Sequence, residues 1–207
     1  MSSQSTRSVC CPVPTSIASA VTTLNPCASD VGQIQKMIFW RRGQTIASLA
    51  TAILEATWTG LLATAGDAKA VVTPFLGNVE IPASEPREFG GGNETRWGAP
   101  IRKGGGSVVV SASMYGNDQD VITSLKALSC EALDVLFVNE SNQIVYSDAS
   151  TFSGFQVAAG SLNFSDKQVG GLDDSDQNKM IFNLKPNWSD TLEITTETTF
   201  ALDMINS

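Results

Sequence analysis

Asp174, Asp176 and Asn178 alternate along the chain as the first ligands of a calcium loop do. The pattern then breaks. Lys179 stands where the sharp turn needs Gly, and Lys185 stands where a bidentate Glu would close the loop. A solvated polar loop is the simpler reading. The chain has no His, which removes Ser–His and Cys–His nucleophile activation and imidazole-bound metal. Its four cysteines are Cys10, Cys11, Cys27 and Cys130. They form no CxxC pair and no zinc spacing. A bridge from Cys10 or Cys11 to Cys27 would need an oxidising compartment, and the opening MSSQSTRSVCCPVP lacks the basic head and apolar core of a secretory signal. Cys130 is expected on a buried helix face as a small apolar residue. Lys103 precedes its glycines, so the Gly–Lys–Ser/Thr order of a phosphate loop is absent. A carboxylate pair is the acid–base chemistry left, and nothing singles one out. Asn-x-Ser/Thr triplets begin at Asn93, Asn139, Asn163 and Asn187 and are expected to be unused. The chain is therefore expected to be no enzyme and to need no metal or cofactor.

The elements that would position any site are mostly strands. Gln33–Arg42 carries apolar groups on both faces in its second half, which predicts a strand covered on both sides. Leu54, Trp58, Leu61 and Leu62 are spaced as one helical stripe, with Gly66 as a C-terminal cap. Ala68–Phe75 and Ser107–Met114 read as strands, with Pro74 placing the end of the first at an edge. Asn117 predicts the start of a helix over Asp118–Ala132, with Val121, Leu125, Leu128 and Ala132 along its buried side. Leu133–Asn139 and Gln143–Ser147 predict a hairpin. Phe155–Phe164 reads as one strand with a bulge at Gly160, followed by Lys179–Leu184, Leu192–Thr196 and Thr199–Leu202. The sum is a mainly β (α+β) fold: an antiparallel β-sandwich or barrel with one flanking helix and a second, shorter one. Residues 1–30, rich in Ser, Thr and Pro, are expected to form an extended N-terminal arm, and 31–207 a single β-rich domain.

Composition agrees with a folded, water-facing body. Of 207 residues, 42% are hydrophobic and 16% charged, enough for a core and too little charge for a disordered chain. No run of 18 apolar residues predicts a membrane span. The net charge of −8 is uneven. The acids concentrate after residue 130, a placement that repels nucleic acid.

Residues 77–106 stand apart: GNVEIPASEPREFGGGNETRWGAPIRKGGG, with two Gly triplets and no helical or strand period. A loop this long inside a compact domain is uncommon and is usually functional. It carries Arg87, Phe89, Arg96, Trp97, Ile101 and Arg102, the residue types that anchor interfaces. These six are the candidate subunit interface.

The segments IFWRRG (Ile38–Gly43), ATWTGLLA (Ala56–Ala63), VVTPFLGNVEIP (Val71–Pro82) and FGGGNET (Phe89–Thr95) resemble pieces of virion structural proteins of tailed bacteriophages. The resemblance spans residues 30–190, is one of overall pattern, and has no diagnostic motif. The layout is most similar to a tail tube protein. Such a resemblance implies a homo-oligomer of hexameric rings stacked into a tube and assembled in the bacterial host cytoplasm. It also implies contacts with other virion proteins and a wall past which DNA slides without specific binding. It places Asp166, Asp173, Asp174 and Asp176 facing the channel. Head decoration and capsid accessory proteins share this profile. The competing class is a β-sandwich ligand-binding module, which would need exposed aromatics on a rigid face. Trp40 and Trp58 are expected to be buried, and Trp97 to lie in the loop.

Overall fold

The computed structural model describes residues 31–52, 54–64, 66, 68–141, 143–148, 151–171 and 175–195. The expected arm (1–30), the strand expected at Thr199–Leu202, and Asp173 and Asp174 lie outside the described residues. The chain divides into two compact units. One contains Pro86–Gly106, and the other is built from Val31–Glu85 with the chain from Ser107 onward.

In the larger unit, β1 (Ile34–Arg41) is the strand that the two-faced apolar pattern predicts. Met37 and Phe39 enter one core while Ile38 and Trp40 enter another, and all four are at most 2% exposed. Its neighbour β8 (Leu133–Asn139) is buried along its whole length and pairs with β1 antiparallel, from Ile34 opposite Asn139 to Arg41 opposite Leu133. A strand buried on both faces needs continuous apolar sequence, and LDVLFVN nearly supplies it. The first sheet extends from β8 through β9 (Ile144–Ser147) and β10 (Phe152–Ser153) to β2 (Thr45–Ile46), and from β1 to β3 (Val71–Val72). Two short strands join it at the sides, β11 (Phe155–Gln156) on β8 and β14 (Leu192–Ile194) on β9.

The second sheet runs in the order β12 (Asn163–Phe164), β13 (Gln177–Leu184), β7 (Val108–Tyr115) and β4 (Leu76–Glu80). It alternates cleanly. Val108, Val110, Ala112 and Met114 point into the core, as do Met180, Phe182 and Leu184, while Val109, Tyr115 and Ile181 remain exposed. The sandwich interior is sealed by Phe39 of one sheet meeting Phe182 of the other edge to face at 5.8 Å. On the far side of the first sheet, α1 (Leu49–Ala52) and α2 (Glu55–Ala63) cover Ile38, Trp40, Leu136 and Val138. The fold is thus mainly β and antiparallel, with three short α-helices among the described residues, in agreement with the sequence.

Several local expectations differ. Leu54 is not on the buried stripe of α2. It sits at the N-cap and is 54% exposed, and the helix ends at Thr64 rather than Gly66. The strand expected over Ala68–Phe75 shrinks to β3. Thr73 exchanges hydrogen bonds with Met37, donating from its amide at 2.9 Å and accepting at Oγ1 at 3.0 Å, and the chain then crosses at Pro74 into the second sheet. The helix expected over Asp118–Ala132 is α3 (Gln119–Lys126), continued by a 3-10 turn at Ala127–Cys130. Asp118, not Asn117, is its N-cap. Ile122 and Leu125 face the core, whereas Val121 is exposed. Cys130 is exposed because the tighter 3-10 turn rotates it off the buried side. Phe155–Phe164 is not one strand. It breaks at Gly160 (φ 71°), leaving β11 in the first sheet and β12 in the second.

Candidate functional site

The smaller unit is a hairpin of β5 (Pro86–Phe89) and β6 (Ile101–Gly105). The stretch read as an aperiodic loop thus contributes β4 to the second sheet and then folds back on itself. Pro86 faces Gly105, Arg87 faces Gly104, Glu88 faces Arg102 and Phe89 faces Ile101, with the register shifting between Arg87 and Glu88 to accommodate Lys103. A direct cross-strand pair shares a face. Phe89 and Ile101 therefore form one apolar spot, and Glu88 and Arg102 bring opposite charges together on the other face.

The tip is tied by its own backbone. Gly92 N–H donates to Gly98 C=O at 3.2 Å, Gly98 N–H to Thr95 C=O at 3.0 Å, and Thr95 Oγ1 to Ala99 C=O at 2.5 Å. Gly90 is obligatory: at φ 75° a Cβ there would lie 2.4 Å from Thr95 Cγ2. Between these ties a 3-10 turn spans Arg96–Gly98 and holds Trp97 at φ 76°, a conformation that costs an L-residue about 1–2 kcal/mol. Trp97 is 87% exposed, Phe89 52% and Ile101 43%. Arg96 sits 5.7 Å from the Trp97 ring and Lys103 4.3 Å from the Phe89 ring, so each large aromatic carries a cation over its face. All six interface candidates therefore belong to one hairpin. Phe89 and Ile101 are brought together, as are Arg96 and Trp97.

The acidic candidates are more scattered. Asp166 is fully exposed but paired with Lys126 of α3 at 2.5 Å, and that ammonium holds its carboxyl below the ordinary range. Asp176 is half-buried and accepts the Gly170 N–H at 3.1 Å through Oδ1. Asn178, the third member of the calcium-like pattern, is buried in β13 and donates to Ser165 C=O at 3.1 Å. Among the described residues, no three His, Cys, Asp or Glu side chains lie close enough to hold a metal ion together.

Sequence reasoning missed a cavity of about 380 Å³ at one end of the first sheet. The turn after β1 (Arg42–Thr45), Ser153–Gln156 and Lys185–Trp188 wall it, with Asp134 among the lining residues. Asp134 is 4% exposed. Its Oδ2 accepts the Gly43 N–H at 3.1 Å, and its Oδ1 lies 3.6 Å from Arg42 Nε, an ion pair without a hydrogen bond. Burial raises its carboxyl above the ordinary range, opposed by the Gly43 amide and the Arg42 charge. The only sequence signal was an acid inside an apolar strand, LDVLFVN, which is costly unless used.

No protein-family model and no curated protein matches the sequence. Among solved structures, the tail of an empty GTA particle with C6 symmetry matches at a TM-score of 0.38 and 12% identity, covering 82% of this chain and 100% of that one. A likeness that distant transfers neither the particle's symmetry nor its role to this chain.

Proposed function

We propose that this chain is a structural subunit of a phage-type virion, the tube-forming subunit of a tail, which assembles without catalysis into stacked hexameric rings around a DNA channel. The observation that carries the reading is the β5–β6 hairpin. It presents Trp97, Phe89 and Ile101 to water and buries none of its β5 side chains. A two-stranded hairpin is marginal alone, and burying a Phe or Ile is worth about 1.5–3 kcal/mol each, so contact with another subunit would stabilise hairpin and assembly together.

Charge supports a second copy as that partner. The hairpin holds 4 of the 13 cations and 2 of the 21 acids, which leaves the rest of the chain strongly acidic. A cationic hairpin meeting an acidic body is self-complementary between copies and steers association. The same acids suit a channel wall. Cations there would hold DNA by counterion release, whereas carboxylates leave it free to pass. Because Asp166 is neutralised by Lys126, the channel role falls to Asp173, Asp174 and Asp176.

Electron microscopy of the purified full-length protein, with its mass in solution, tests the reading. Sixfold rings or tubes with an open channel are expected. A monomer at every concentration would overturn the assembly role, and a particle without a channel would point to a head decoration protein.

A further inference from the structure

Resting on the assembly reading, we propose that the cavity at the end of the first sheet receives Trp97 of a second copy of this chain, so that copies join knob into hole. Trp97 is the knob. A bulky side chain at φ 76° is a backbone outlier, and outliers of that kind cluster at binding sites, where the surrounding structure holds them. The backbone ties of the hairpin tip hold this one and present an indole that is 87% exposed. A rigid Trp anchors an interface by filling a pocket on the partner.

The cavity has the size and the lining for that side chain. Its volume of about 380 Å³ admits one indole. Trp188 is half-buried in the wall, with its ring fixed edge-to-face against Phe155 at 5.1 Å and Phe137 at 6.0 Å. A ring that enters beside Trp188 finds the offset or edge contact that aromatic pairs prefer. The hydroxyls of Thr45 and Thr191 and the side-chain oxygen of Asn187 line the same space and can accept the Trp97 Nε1–H. Asp134 stays enclosed beside Arg42 and takes no part in the contact.

Charge favours a second copy as the occupant. Asp148 follows the lining residue Ser147 and donates its amide to the Thr191 carbonyl at 2.9 Å, and Asp190 precedes Thr191, so two exposed carboxylates stand beside the cavity. The two cations in its wall are engaged within the chain, Arg42 with Asp134 and the Val157 carbonyl, Lys185 with the Gln156 side-chain oxygen. The entering indole carries Arg96 at 5.7 Å from its ring, and Lys103 follows over Phe89. Cations at the knob thus meet acids beside the hole. Knob and hole are different surfaces, so each copy gives one and receives one. Such a head-to-tail contact closes a ring or continues as a filament, rather than stopping at a symmetric dimer.

The test is sedimentation of the full chain, its variants and their mixture. Thr45→Trp places a bulky ring in the hole, and Trp97→Ala removes the knob. Each variant alone should need at least tenfold more protein to assemble than the parent. Mixed in equal amounts, the two should form a dimer that grows no further, because the mixture holds one intact knob and one open hole. A second pair of variants reads the charges without filling the cavity: Asp148→Lys with Asp190→Lys should raise the threshold at least tenfold, and adding Arg96→Glu with Lys103→Glu to the same chain should restore it. Parent-like assembly of Thr45→Trp, no dimer in the mixture, or no rescue by the charge exchange would each overturn the contact and leave the tube reading standing. Dimers and open chains that never close into rings would support the contact and overturn the tube. A parent that stays monomeric at every concentration would overturn both.

Discussion

Trp40 of β1 and Trp58 of α2 stack with their ring planes 4° apart and their centroids 6.2 Å apart. This pair ties the helical cover to the first sheet. Trp58 also donates Nε1–H to the Ala52 carbonyl at 2.7 Å, so one side chain joins α1, α2 and β1. Trp58→Ala is expected to cost about 3–5 kcal/mol, measured by denaturant unfolding. Trp58→Phe should lose less, because it keeps most of the packing and forfeits the bond to Ala52. Equal losses in the two variants would show that the ring contact contributes little.

Trp97→Ala and Phe89→Ser should behave in the opposite way. Both residues are exposed, so monomer stability is expected to move by less than about 0.5 kcal/mol. Assembly, followed by light scattering, should be lost or its threshold concentration raised at least tenfold. Deletion of Pro86–Gly104 should leave the larger unit folded and unable to assemble. Amide exchange in β5 and β6 should be rapid in the monomer and slow in the assembly. Normal assembly of the deletion variant would refute the interface.

Gly154 and Gly77 separate backbone crowding from side-chain crowding. A Cβ on Gly154 would lie 2.8 Å from Trp40 Nε1, 2.9 Å from Asp134 Cβ and 3.0 Å from Val135 N. None of these can swing aside, so Gly154→Ala should cost about 1–3 kcal/mol. A Cβ on Gly77 meets only the Tyr115 ring, at 2.6 Å, and Tyr115 is 43% exposed, so its ring can turn outward at the cost of the hydrogen bond its hydroxyl accepts from Asn78 at 3.2 Å. Gly77→Ala should therefore be the milder change, and thermal melts of the two variants decide the order.

Acid should expose two opposing groups of carboxylates. Glu131, bonded by Arg41, and Asp166, bonded by Lys126, are held below their ordinary values, so their contributions are present at neutral pH and vanish as pH falls through the folded values. Asp134 is raised above its ordinary 3.8, so the folded chain binds its proton more readily than the unfolded chain does. Its ionisation burdens the fold at neutral pH, and that burden lifts as pH falls toward about 4. Asp134→Asn removes the relief. Its stability should fall more steeply with acid than that of the parent, as read from unfolding midpoints across pH. Parallel curves would place the Asp134 carboxyl at its ordinary value.

What was legible followed from burial. β1 and β8 are covered on both faces, so their apolar runs announced them, and the hairpin of β8 and β9 was readable from its flanking turn. The hairpin of β5 and β6 was not, because a strand exposed on both faces has no alternation to show: every residue of Pro86–Phe89 is exposed. Its interface residue types were still visible as composition. The register of α3 was ambiguous for a different reason. Val121 and Ile122 are adjacent and both apolar, so two stripes fit the spacing and packing chose the second. Phe155–Phe164 read as continuous because both of its halves are strand-like, and only tertiary pairing sends them to different sheets. The cavity at Asp134 assembles from five separate stretches of chain, around Arg42–Thr45, Asp134, Ser147, Ser153–Gln156 and Lys185–Thr191, and no local pattern in any of them records the others.

The second sheet has a consequence for the order of events during synthesis. Its central strand β7 meets β4 soon after leaving the ribosome, but its other edge waits for β13, with Val108 finally pairing with Leu184. The β5–β6 hairpin closes over a short local span and needs no late strand. Synthesis therefore displays the exposed aromatic tip while the sandwich is still open along one side. Under the proposed interface role, slowing translation between β7 and β13 should lower the yield of correctly folded chains.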